Sequence, residues 1–134
     1  GSLEYSCKVA GSKLIVVLGH TRCGAVKGAC DHVEMGNLTT LLNKIVPSMY
    51  YEKSITENRN SSNNEFVNKV ASIHVYRCVE TIMEQSVILR DMVMKEEIGV
   101  IGGLYNVENG QVEFFEDTWL SGEVHNVFEE FLIA

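Results

Sequence analysis

The sequence predicts an α/β fold in which a mostly parallel central sheet carries flanking helices and an antiparallel edge strand. Three observations predict it. Residues 14–18, Leu14-Ile15-Val16-Val17-Leu18, form a continuous apolar run rich in β-branched side chains and stopped by Gly19, which reads as a strand buried on both faces. Residues 98–104, Ile98-Gly99-Val100-Ile101-Gly102-Gly103-Leu104, form a second such strand; the helical stretches between the two supply the crossover that parallel pairing needs. Asn109-Gly110 is a strong turn signal, which folds the chain back as a hairpin and leaves the last strand antiparallel at an edge.

Composition narrows the function before any motif does. A chain of 134 residues with 46% hydrophobic content fits one domain and can bury a real core. The net charge of −7 argues against non-specific nucleic-acid binding and against contact with an anionic membrane, both of which need a basic surface. No apolar run approaches the roughly 18 residues of a membrane span. Cys7, Cys23, Cys30 and Cys78 are scattered rather than set in a dense framework, which points to reduced thiols and a cytoplasmic location.

The elements follow in order. Leu3, Cys7 and Ala10 recur at helical spacing, so residues 2–10 predict a short helix ended by Gly11, with Cys7 filling the core rather than holding a metal. After the first strand, Ala25, Val26 and Ala29 suit a helix over residues 23–33, closed by Gly36. Cys30 lies about 10 Å along that helix from Cys23 and cannot share a metal with it; it reads as packing, and His32 as solvated. Asn37 is placed to cap a second helix with Leu38, Leu41, Leu42, Ile45 and Val46 as its stripe, and Pro47 to end it. Residues 52–64, rich in Ser, Asn and Glu, predict a mobile loop. Phe66, Val70, Ile73 and Arg77, with Val67, Cys78 and Ile82 on the adjoining row, mark a long helix to Gln85. On it Cys78 is expected in the core and His74 as a partly buried histidine with one hydrogen bond. Val87, Ile88, Leu89, Met92 and Val93 continue as a kinked segment whose methionines pack. The glycines of the second strand predict close backbone approach to a neighbour, and the hairpin joins residues 104–107 to 111–115. Residues 121–134 predict a last helix capped by Ser121, with Val124, Val127, Phe128, Phe131 and Leu132 as an apolar stripe. No internal repeat is present.

The chemistry concentrates in Gly19-His20-Thr21-Arg22-Cys23-Gly24. His20 and Cys23 sit in the tight turn between a buried strand and a helix start, and ligands of open α/β sheets bind outside the carboxyl ends of the strands. Two soft donors three residues apart there can hold one metal ion. Gly19 and Gly24 have the glycine spacing of a P-loop, but Ala25-Val26 replaces the Lys and the hydroxyl residue, so that reading is rejected. A reactive thiolate, favoured by the helix amides and by Arg22, remains open. So does the bland alternative of a small buried Cys beside a His satisfied by the backbone.

The wider stretch resembles the β-class carbonic anhydrases. The likeness rests on residues 2–5, Ser2-Leu3-Glu4-Tyr5, and residues 13–27, where Leu14-Ile15-Val16-Val17-Leu18 leads into Gly19-His20-Thr21-Arg22-Cys23-Gly24-Ala25-Val26. It continues more softly through residues 36–42, the helix over 70–85, and Gly102-Gly103-Leu104-Tyr105-Asn106-Val107. The resemblance implies a three-layer fold and a catalytic zinc for which His20 and Cys23 are two of three protein ligands. It implies reversible hydration of carbon dioxide to bicarbonate, and a homodimer or higher oligomer helped by an exposed Phe128/Phe131 face. The family's Cys-x-Asp-Ser-Arg motif supplies the third ligand and an Asp-Arg dyad; here Cys7 is followed by Lys8-Val9-Ala10. Residues 1–134 are therefore expected to be a single β-carbonic-anhydrase-like domain without its N-terminal part, with no catalytic residue beyond the metal ligands. His74 stands where family members often carry Asn. A non-catalytic dimerisation or regulatory module is the alternative, and hydrolysis of carbon disulfide or carbonyl sulfide on the same scaffold a weaker third.

Overall fold

A computed structural model describes residues 1–134. The chain opens with α1 (Ser2–Glu4), which runs on as a π-helical turn over Tyr5–Val9. Then come β1 (Leu14–His20), α2 (Gly24–Cys30), α3 (Gly36–Asn43), α4 (Val46–Tyr51), α5 (Asn64–Gln85), α6 (Val87–Met94), β2 (Gly99–Tyr105), β3 (Val112–Leu120) and α7 (Val127–Ile133). The strands form one sheet in the order β1-β2-β3. The Gly99 N–H donates to the Lys13 carbonyl at 3.0 Å and the Thr21 N–H to the Tyr105 carbonyl at 2.9 Å, so β1 and β2 ascend together and are parallel. Residues 106–111 are too few for a crossover, which makes β3 antiparallel. The result is the expected α/β fold with a mixed sheet and flanking helices.

The chain divides into two compact units. The first comprises Gly1–Leu18, Val75–Gly103 and Phe114–Ala134. Its core joins Cys7, Ile15, Val79, Met83, Leu89, Val93, Val100, Leu120 and Val127. Glycine in β2 lets neighbours close in. A Cβ on Gly99 would stand 2.3 Å from the Trp119 ring, and one on Gly102 2.6 Å from the Val75 side chain. The Gly102 N–H also donates to Thr118 Oγ1 at 2.7 Å. Cys7 is buried in this core, as its helical register predicts.

The second unit comprises Gly19–His74 and Leu104–Glu113. Val26, Ala29, Cys30, Leu42, Ile45, Met49, Phe66, Val67 and Val70 form its core. Cys30 packs as expected, and His74 Nδ1 lies 2.9 Å from Ser48 Oγ.

Several expectations need correction. β1 is not buried on both faces: Ile15 is 5% exposed, but Leu14, Val16 and Leu18 are 51%, 43% and 49% exposed. An apolar run shows what a strand tolerates on each face, and at the edge of this sheet only one face is covered. The helix after the turn ends at Cys30, because His32 takes a left-handed φ of +52° and closes it through its N–H on the Ala29 carbonyl. Gly36 does not close that helix but opens the next one. Asn37 makes no cap there; Thr39 Oγ1 accepts the Met35 N–H at 2.7 Å instead. Pro47 starts α4 rather than ending a stripe, since the first turn of a helix has no use for its missing N–H.

The polar loop is held rather than loose. Arg59 donates to the carbonyls of Glu52 (2.8 Å), Ile55 (2.7 Å) and Met49 (2.8 Å), and its guanidinium lies 4.6 Å from the Phe66 ring centroid. The buried Glu52 carboxylate accepts from the backbone of Ser54 and Ile55. The last helix begins at Val127 with Asn126 as its cap, not at Ser121, because Gly122 at φ +84° and a Ser121–Glu123 bridge turn the chain first. Its aromatic stripe is not an open face either: Phe128 is buried, and Phe131 stacks on Tyr76 with centroids 4.2 Å apart.

Candidate metal-binding turn

The turn begins where β1 ends. His20 is the last residue of the strand and Cys23 the extended N-cap of α2, whose first backbone bond runs from the Lys27 N–H to the Cys23 carbonyl at 2.9 Å. Val26, Ala29 and Cys30 anchor α2 in the core of the second unit, and Cys23 packs partly buried against that core. His20 is exposed. Its Nδ1 lies 2.9 Å from the Thr21 carbonyl. A carbonyl only accepts, so Nδ1 donates in this contact, and Nε2 is the ring nitrogen left for a metal.

The two residues between the donors are fixed from outside the turn. Thr21 is buried; its N–H donates to the Tyr105 carbonyl at 2.9 Å, and its Oγ1 accepts the Val107 N–H at 3.0 Å. Arg22 has a left-handed φ of +54°. Its N–H donates to Asn68 Oδ1 at 2.9 Å, and its guanidinium pairs with Glu108. Sequence reasoning singles out His20 and Cys23 as candidate donors but not these contacts. Asn68 stands 46 residues from its partner, and no local pattern announces a bond of that range.

The other thiols are differently placed. Burial pushes the Cys30 thiol up to about 11, with Asp31 adding to the rise and Arg59 opposing it. Burial also raises Cys7 and Cys78. Imidazole and thiolate together suit zinc. Their chemistry fits two positions of a tetrahedral site; nowhere in the chain do three His, Cys, Asp or Glu side chains come together as a metal-holding group. No helix is long and apolar enough to cross a membrane.

Comparison with known proteins gives this geometry a context. A family model described as carbonic anhydrase matches residues 1–112. Carbonic anhydrase 2 of Mycobacterium tuberculosis is 27% identical over 116 residues, which cover 83% of this chain and 53% of that protein. A carbonic anhydrase of Mycolicibacterium smegmatis is 26% identical over 129 residues, covering 92% of this chain and 59% of the relative. The chain thus spans little more than half the length of these relatives. Among solved structures, a tetrameric β-carbonic anhydrase of Sordaria macrospora superposes with a TM-score of 0.73 at 23% identity, over 85% of this chain and 57% of that one. A β-carbonic anhydrase of Aspergillus fumigatus superposes with a TM-score of 0.72 at 22% identity, over 98% of this chain and 60% of its own. These structural likenesses concern the fold.

Proposed function

Because the chain belongs to the β-class carbonic anhydrase family, we propose that it serves the zinc-dependent, reversible hydration of carbon dioxide to bicarbonate, with His20 and Cys23 as two of the metal's three protein ligands. The observation that carries this is the placement of His20: its Nδ1 lies 2.9 Å from the Thr21 carbonyl, which leaves Nε2 as the nitrogen available to a metal, three residues before a partly exposed thiol. Zinc, when bound, supplies a water acidified toward neutrality. The chain's own part is to orient: the Nδ1–H bond fixes the ring, and packing of Cys23 against the core of α2 fixes the sulfur. No third His, Cys, Asp or Glu side chain joins them in a metal-holding group. Self-association into a dimer or higher oligomer belongs to the same proposal, and the uncovered Leu14, Val16 and Leu18 side chains support it.

The absence of a third donor also favours a second reading, a non-catalytic carbonic-anhydrase-like module that dimerises or regulates. Zinc content and a stopped-flow hydration assay on the parent protein separate the two. The catalytic reading expects one zinc per chain with turnover, and a sharp loss of zinc in His20→Ala or Cys23→Ala variants that keep the fold. Equal zinc in variant and parent overturns the ligand assignment, and absence of both zinc and turnover leaves the module.

A further inference from the structure

We infer that Asn68 is a positioning residue for the His20/Cys23 pair, acting through the backbone of Arg22. The inference rests on the proposal that these two donors share one metal. Their relative placement is set by the two residues between them. Thr21 is held through both its N–H and its hydroxyl oxygen. Arg22 is the weak point, because at φ +54° it occupies a region that residues with side chains rarely adopt. Two interactions oppose its relaxation. The pairing of its guanidinium with Glu108 joins side chains that are 50% and 59% exposed, and such pairs hold a backbone poorly. The bond from the Arg22 N–H to Asn68 Oδ1, at 2.9 Å, is exposed as well, but it acts on the backbone itself.

Asn68 is mounted firmly enough to do this. Its neighbours on α5, Phe66, Val67 and Val70, are all 0% exposed, so the helix cannot shift without breaking the core of the second unit. Ser72 Oγ donates to the Asn68 carbonyl at 3.1 Å one turn on. The acceptor is therefore presented from a rigid element to the one strained residue of the turn. Without it, Arg22 can leave the left-handed region, the peptide planes on either side rotate, and Cys23 moves relative to His20.

Cobalt(II) titration of the full chain tests this, read by the thiolate-to-cobalt charge-transfer band, with amide exchange at Arg22 as a metal-free readout. Asn68→Leu is expected to weaken cobalt binding by about tenfold or more, the usual cost of losing an outer support of a metal ligand, and to speed exchange at Arg22. Asn68→Asp keeps an acceptor oxygen in place and is expected to bind like the parent. Arg22→Gly added to Asn68→Leu is expected to recover binding, since glycine takes that φ unaided; a general loss of stability would show no such rescue. If Asn68→Leu does not fold, Asn68→Ala decides. A normal parent band with cobalt affinity unchanged on loss of the acceptor overturns this inference alone. A parent chain without the band, or a band that survives Cys23→Ala, overturns the shared-metal proposal and this inference with it.

Discussion

Glu52 and Glu80, one carboxylate in each compact unit, answer burial in opposite ways. Burial acts to raise Glu52, but hydrogen bonds from the Ser54 side chain and the Ser54 and Ile55 N–H groups, with the Lys69 charge, outweigh it and leave the carboxyl below its usual range. Glu80 is raised by burial first and by its hydrogen bond and like charge with Glu84, and further by Glu129; the Asn126 amide only partly offsets this. Its Oε2 is buried with no hydrogen-bond partner. The second unit is thus laced by side-chain-to-backbone bonds, whereas the first is held by close apolar contact and tolerates an imperfectly satisfied acid. The difference suits their contents, because the His20–Cys23 turn lies in the unit whose irregular backbone is tied down.

The contrast can be broken most severely in the first unit. Gly102→Val places a branched side chain 2.6 Å from Val75 and against Thr118, which already accepts the Gly102 N–H. A loss of about 3 kcal/mol is expected, the upper end for overpacking, measured by urea unfolding. Relaxation of β2 that leaves the unfolding midpoint unchanged would show that packing is not what limits this unit. In the second unit Arg59→Ala removes three bonds to carbonyls and the contact with Phe66. About 2 kcal/mol is expected to be lost, and Arg59→Lys to restore little, because an ammonium cannot reproduce the planar fork. Full rescue by Lys would mean that charge alone holds the loop.

The smallest effects are those of pH, and they run in opposite directions. A lowered carboxyl pKa gives stability that is present above the unfolded value, near 4.5, and lost as pH falls through the folded one. Glu52→Gln is therefore expected to destabilise at pH 7, with the deficit shrinking below pH 4.5. A raised pKa means that the native state takes up a proton first. Glu80→Gln is expected to stabilise at pH 7, and the parent to catch up as pH falls through the raised value toward 4.5. Thermal unfolding of parent and variants across that range measures both; deviations of one sign for the two variants would dissolve the comparison.

Much of this was legible in the chain, and the exceptions share a cause. β1 and β2 look alike as sequences, two apolar runs interrupted by glycine, and both are strands. Yet Val100 is fully buried at the centre of the sheet, while Val16 on the edge strand is 43% exposed. The long helix shows itself through period and the hairpin through Asn109-Gly110, because each signal is local. Misplaced ends such as those at Gly36 and Ser121 fall where an unusual φ at or beside them overrides the local preference. The loop of residues 52–63 reads as unstructured because its order comes from Arg59, a residue whose role depends on where three carbonyls converge.

Taken alone, the order of residues determined the α/β class, the positions of the strands, and the pairing of an imidazole with a thiol in one turn, all of which depend on neighbours within a few positions along the chain. Folding in three dimensions decided which face of β1 stays uncovered, which nitrogen of His20 remains free, and that Asn68 reaches Arg22 across 46 positions. Those outcomes depend on groups brought together by packing, and packing has no signature in a window of sequence.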